Sequence, residues 1–162
     1  MAPLETIHYK SFYRTASSFL RKELVLTFNR CEREDAIGIE ARPLSAPKEA
    51  SVITRATLRA AERLNIKNNA LAKIVGVSEP TVSRMRKGEY FLERGNKPFE
   101  LAILFVRFYR SLDAIVGGDD KVAGEWIRNK NLALRSTPLE LIQTVAGLVN
   151  AIEYLDSRRA PV

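Results

Sequence analysis

From Ser51 onward, apolar residues recur every three or four positions, the spacing that lines one face of a helix. Leu58, Ala61 and Leu64 predict a helix over about 54–64. A second is expected over Asn68–Val75, stopping at Gly76, and a third from just after Ser78 to near Gly88. The stretch from Pro98 to Val116 is the most apolar of the chain, and its Phe, Val, Ile and Leu side chains leave only a narrow polar stripe. Such a helix is packed on most sides, between domains or subunits. Gly117-Gly118 ends it, and three shorter helices are expected over Asp120–Arg128, Pro138–Val145 and Ala146–Ser157.

Before Ser51 the pattern is ambiguous. Ala16, Phe19, Leu20 and Leu24 have helical spacing, while Leu24-Val25-Leu26-Thr27-Phe28 reads equally well as a strand. Arg42-Pro43-Leu44-Ser45-Ala46-Pro47 reads as a linker by its prolines and small residues. The expected fold class is therefore all-α, with an N-terminal arm and linker over 1–50, a helical domain over 51–118 and a smaller helical domain over 119–162.

A chain of 162 residues can bury one ordinary core or two small ones, and 46% apolar with 28% charged residues is globular composition. Charged residues interrupt the apolar stretch around 99–116, so it is not expected to span a membrane. The first residues lack the basic and apolar regions of a secretory signal, and cytoplasmic residence is expected. His8 and Cys31 are the single residues of their types, which leaves no disulfide within the chain and too few ligands for a zinc site. No metal, cofactor or catalytic constellation is expected, and an enzyme is the least favoured class.

The net charge of +7 changes the picture once it is divided. Residues 1–50 hold 8 basic against 7 acidic side chains, residues 51–118 hold 12 against 6, and residues 119–162 hold 6 of each. The excess sits in the middle third, where a patch for phosphates would lie.

That third contains Asn68 to Lys87, whose sequence meets the needs of two helices crossing at a tight turn. Ala72 is small where the helices cross. Gly76 supplies the left-handed residue that ends the first helix. Leu71, Val75, Val77, Val82 and Met85 close a core beneath, and Ser78 caps the second helix. The pattern resembles the helix-turn-helix of Xre and phage-repressor type. The resemblance implies that the second helix enters the major groove by its N-terminal half. Glu79, Thr81, Ser83 and Arg84 are then expected on the open face, with Arg84 the candidate for bidentate guanine readout and Glu79 either an acceptor from cytosine or a first-turn acid that complements the helix dipole. Asn68 sits where the motif touches phosphate, and Arg86 and Lys87 are expected on the DNA backbone.

Residues 126–155 carry a second resemblance, through Trp126, Asn131, Ala133-Leu134, Thr137-Pro138-Leu139, Leu141, Thr144, Gly147, Val149 and Leu155. These look like the toxin-binding domain of the Xre/MbcA/ParS antitoxins, which follows a helix-turn-helix in that family. The resemblance implies an antitoxin that neutralises a RES-domain, NAD-consuming toxin, represses its own operon by binding operator DNA, and forms a homodimer within a hetero-oligomer. Pro138, Leu139, Thr144 and Gly147 are the toxin-binding residues it suggests. The tail from Arg158 and Arg159 to Val162 is a candidate plug for the toxin's active site.

The residues also carry structural expectations of their own. Thr137 and Glu140 have capping-box spacing around Pro138. Leu139, Ile142, Val145 and Leu148 are expected to form a buried face, Gly147 to allow close helix packing, and Trp126 to lie in the core. The alternative reading is a stand-alone helix-turn-helix repressor whose C-terminal domain only dimerises.

Overall fold

The computed structural model describes residues 46–159; the expectations for 16–28 and for the last three residues of the tail lie outside them. The described residues form seven helices: α1 (Ala46–Arg63), α2 (Asn68–Val75), α3 (Glu79–Lys87), α4 (Lys97–Val116), α5 (Asp120–Arg128), α6 (Pro138–Leu141) and α7 (Val145–Arg159). Among them there is no strand, only one antiparallel bridge between Asn131 and Ser136. The fold class is all-α, as the periodicity indicated.

α1 already includes Ala46 and Pro47, which lie inside the stretch expected as linker. Thr54 and Thr57 lie on its buried face and remain satisfied, their hydroxyls donating to the carbonyls of Ala50 and Ile53 at 2.8 Å each. In the turn just past the helix end Asn65 has a left-handed φ of 52°, and Ile66 N–H returns to the Ala61 carbonyl at 2.7 Å. That turn aims the chain into α2.

α4 is the spine of the molecule. It packs against α1 and α2, and also against α5 and most extensively α7. Phe99, Ala102, Phe105, Val106, Phe108, Ser111 and Leu112 are all buried along it, which accounts for its nearly continuous apolar surface. Fully burying side chains such as Phe105, Phe108 and Leu112 stabilises the fold by about 1.5–3 kcal/mol each. Arg107 donates to Asp156 at 2.6 Å and Ser111 Oγ to the other carboxylate oxygen at 2.7 Å, which ties α7 to α4.

The last third departs from expectation at its helix boundary. α6 is a single turn rather than a helix reaching Val145, and the Thr137 side chain makes no capping bond, so the expected capping box does not form. Thr144 instead caps the next helix, its hydroxyl accepting the Gly147 N–H at 3.1 Å. Because the helix breaks between Leu141 and Val145, one buried face cannot run through both pieces. Ile142 and Leu148 are buried, Leu139 is half-buried, and Val145 is 58% exposed. Close packing at Gly147 is observed: a Cβ there would overlap the Leu141 carbonyl and come within 2.8 Å of Thr144 Oγ1. Trp126, expected in the core, is half-buried between the rings of Phe108 and Tyr154, with centroids 6.3 and 6.4 Å away.

Candidate DNA-reading helix and partner-binding module

The turn between α2 and α3 is built as its residues require. Gly76 has φ 73°, and its N–H and that of Val77 both reach the Ala72 carbonyl, at 2.9 and 3.0 Å. Leu71, Ala72, Val75, Val82 and Met85 are buried beneath it, and Val77 is half-buried. Ser78 caps α3, its Oγ accepting the Thr81 N–H at 3.3 Å. Pro80 occupies the first turn, where no helical bond is lost.

Glu79, Arg84, Arg86 and Lys87 are exposed on α3, and Ser83 is half-exposed with its hydroxyl donating back to the Glu79 carbonyl at 3.3 Å. Thr81 corrects the expectation of an open-face residue: it is buried, because its hydroxyl turns in to meet Ser78 Oγ at 2.9 Å. The same oxygen accepts from Arg84 Nη2 at 3.2 Å. The Arg84 guanidinium also lies 5.7 Å above the centre of the Tyr90 ring. Sequence reasoning missed Tyr90, although Gly88 marks the left-handed turn that sends the chain back beside Arg84.

Arg86 and Asn68, both expected on phosphates, touch each other. Arg86 Nε donates to Asn68 Oδ1 at 2.9 Å, and Arg86 Nη1 pairs with Glu62 Oε1 at 2.8 Å. This network joins the ends of α1 and α3 to the start of α2, so the Arg86 guanidinium is already engaged within the protein. Lys87 is exposed at the end of α3.

In the C-terminal module the suggested contact residues divide. Pro138 and Gly147 are buried, which corrects their expected role as surface contacts: they shape the turn and the helix crossing. Leu139 is half-buried and lines a pocket of about 230 Å³ with Asn65, Lys67, Asn69, Ala70 and Arg128. Thr144 is exposed while its hydroxyl caps α7. Arg158 and Arg159 are exposed in the last turn, with the Arg158 guanidinium 5.4 Å over the Tyr154 ring.

Leu132 escaped the sequence reading. Its side chain is 87% exposed, yet the loop beneath it is fixed. Asn131 Oδ1 accepts the N–H groups of Ala133 and Leu134 at 2.9 and 3.2 Å, the Asn131 N–H donates to the Ser136 carbonyl at 3.0 Å, and Leu134 is buried. Its signal was Asn131 at the head of a short loop, since Asn side chains hold such turns.

Among the described residues no three His, Cys, Asp or Glu side chains are grouped to hold a metal, and no helix is long and apolar enough to cross a membrane. A capped basic helix presented on a glycine turn defines the class, a helix-turn-helix DNA-binding protein, here with a second helical module docked on the same spine. Two family models match in succession: the antitoxin Xre-like helix-turn-helix domain over residues 43–107, and the antitoxin Xre/MbcA/ParS C-terminal toxin-binding domain over residues 111–160. Together they take in most of the chain, which belongs to the Xre/MbcA/ParS antitoxins. These two domains imply DNA and a toxin protein as partners, and such families are generally not enzymatic. No curated protein sequence matches the chain. The junction between the two models falls within α4, the helix that serves both modules.

Proposed function

We propose that this antitoxin neutralises a RES-domain, NAD-consuming toxin by direct binding in the cytoplasm, and that it represses its own operon by binding an operator as a homodimer within the toxin–antitoxin complex. The observation that carries the reading is the order of the two domains, a DNA reader followed by a toxin-binding module on one shared helix. Residues 51–118 act as the reader. Arg84 contacts a guanine edge, with Glu79 and Ser83 beside it, while Lys87 and the Asn68–Arg86 corner face the DNA backbone. Residues 119–162 hold no net charge, which suits a protein surface better than a phosphate backbone. There the toxin meets Leu132, Leu139, Thr144, Arg158 and Arg159, and inhibition is by occupancy rather than by chemistry.

Co-expression with the product of the adjacent gene, followed by affinity capture, tests the toxin half. Recovery of a stoichiometric complex with suppressed NAD loss supports it. Absence of any complex, with operator binding intact, leaves a stand-alone repressor. Gel-shift titration against the upstream region tests the other half, where an inverted repeat with half-sites about one helical turn apart is expected.

A further inference from the structure

Arg84 is held in place before any DNA arrives, and the residues that hold it lie on two different segments. Beneath it, Thr81 is buried and accepts from Nη2 at 3.2 Å. Thr81 and Ser78 share a hydrogen bond at 2.9 Å in which either hydroxyl can donate, and either way a Thr81 oxygen lone pair remains for the guanidinium. Beside it, the Tyr90 ring lies under the cation at 5.7 Å, within the range of attraction to an aromatic face.

Tyr90 is itself fixed. Gly88, with φ 76°, reverses the chain after α3, and the Glu89 N–H returns to the Arg84 carbonyl at 2.9 Å. Two residues past Tyr90 the chain is nailed down again: Leu92 is fully buried, donating its N–H to Thr54 Oγ1 at 2.9 Å. Arg94 then pairs with Glu49 at 3.1 Å. The segment after the reader helix is therefore anchored to α1, and Tyr90 stands half-buried on it beside the exposed Arg84.

We propose that Tyr90 and Thr81 are positioning residues for sequence readout, which hold the Arg84 guanidinium ready for a base edge. The inference rests on the reading of Arg84 as the base contact. A free arginine loses much rotamer freedom when a base fixes it, and that loss offsets part of the contact. A guanidinium already supported on two sides loses less, and its planar fork is presented in one orientation, as bidentate guanine recognition requires. Supporting Arg84 therefore raises affinity for the right sequence and leaves binding to arbitrary DNA, which depends on phosphate charge, unchanged.

The test uses the full chain and an operator duplex that it selects from a random-sequence pool, together with a scrambled duplex. Affinities for both are measured for the wild type, Arg84→Ala, Thr81→Val, Tyr90→Leu and Tyr90→Phe, with thermal unfolding of each. Thr81→Val keeps the backbone N–H that Ser78 caps. Tyr90→Leu and Thr81→Val are each expected to weaken the operator complex by about three- to tenfold with the scrambled complex unchanged, Thr81→Val also lowering the unfolding temperature because its bond to Ser78 is lost. Tyr90→Phe, which keeps a ring under the cation, is expected to restore most of the loss. In an Arg84→Ala background, Tyr90→Leu should cost nothing further. Equal losses on both duplexes, or an undiminished Tyr90→Leu effect without Arg84, would overturn the positioning role while leaving Arg84 as reader. Operator affinity untouched by Arg84→Ala would overturn the base-contact reading and the inference with it.

Discussion

Arg128, at the end of α5, donates from Nη2 to the carbonyl of Leu64 at 2.9 Å, at the end of α1. The same nitrogen reaches the Asn65 carbonyl at 2.7 Å, and Nη1 donates to the Gly124 carbonyl. One side chain from the toxin-binding module thus caps the first helix of the DNA-binding module, supplying donors to carbonyls that the helix leaves without partners. Arg128→Ala should lower stability by about 1–3 kcal/mol, since hydrogen bonds from a charged donor are lost. Arg128→Lys should recover only part, because an ammonium lacks the planar fork. Denaturant midpoints of the three proteins check this, and identical midpoints would remove Arg128 from the account of how the modules are joined.

The two activities should separate at α3. Lys87→Ala is expected to weaken binding to all duplexes alike and to reduce the salt dependence by about one phosphate's worth. Substituting Arg84 and Lys87 together should abolish operator binding while toxin neutralisation in cells continues. Loss of both activities by a normally folded double variant would contradict the assignment of separate surfaces.

Gly147 should tolerate no side chain. An added methyl would overlap the Leu141 carbonyl, and backbone cannot yield as the tip of a flexible side chain can. Gly147→Ala should therefore cost about 3 kcal/mol, at the upper end of overpacking, despite the better helix propensity of alanine. Chemical denaturation measures it. A neutral result would show that α6 and α7 are free to part.

Leu132 offers the opposite case, a large apolar side chain whose loss the fold should not register. Leu132→Asp is expected to leave the unfolding midpoint within about 0.5 kcal/mol of wild type, as for other exposed sites. Toxin affinity should fall by more than about 1 kcal/mol if the leucine is an anchor in the interface. Calorimetric titration against the toxin decides it; unchanged affinity would leave the exposed leucine outside the interface.

Alkaline stability should depend on Tyr109. Its hydroxyl accepts from Arg63 at 3.2 Å and donates to Asp113 at 3.3 Å. Burial pushes the phenol above its ordinary value of 10.0; the hydrogen bond from Arg63 works against this, and Asp113 works with it. In return the Tyr109 hydrogen bond raises the Arg63 guanidinium. With the folded value raised, the contribution is fully present below about pH 10 and is lost as pH rises through the folded value. Tyr109→Phe should flatten that alkaline loss, and denaturation at stepped pH reads it directly.

Local rules were sufficient for much of this molecule. Gly76 and Ser78 mark the turn and the cap wherever they occur, so the bounds of α2 and α3 were legible in the sequence, as were those of α5. The apolar stripe of α4 declared a helix covered on most sides, because periodicity reports how many faces are buried. It does not report which partner covers each face. Arg86 meets Asn68 and Glu62 across 18 and 24 residues of chain, and Arg128 meets Leu64 across 64. Such pairs depend on how the helices are set against one another, which no local pattern encodes. The inward turn of Thr81, the break before Val145 and the placing of Tyr90 under Arg84 were decided in the same way. There, packing and hydrogen-bond satisfaction in three dimensions outweighed preferences of only a few tenths of a kcal/mol per residue.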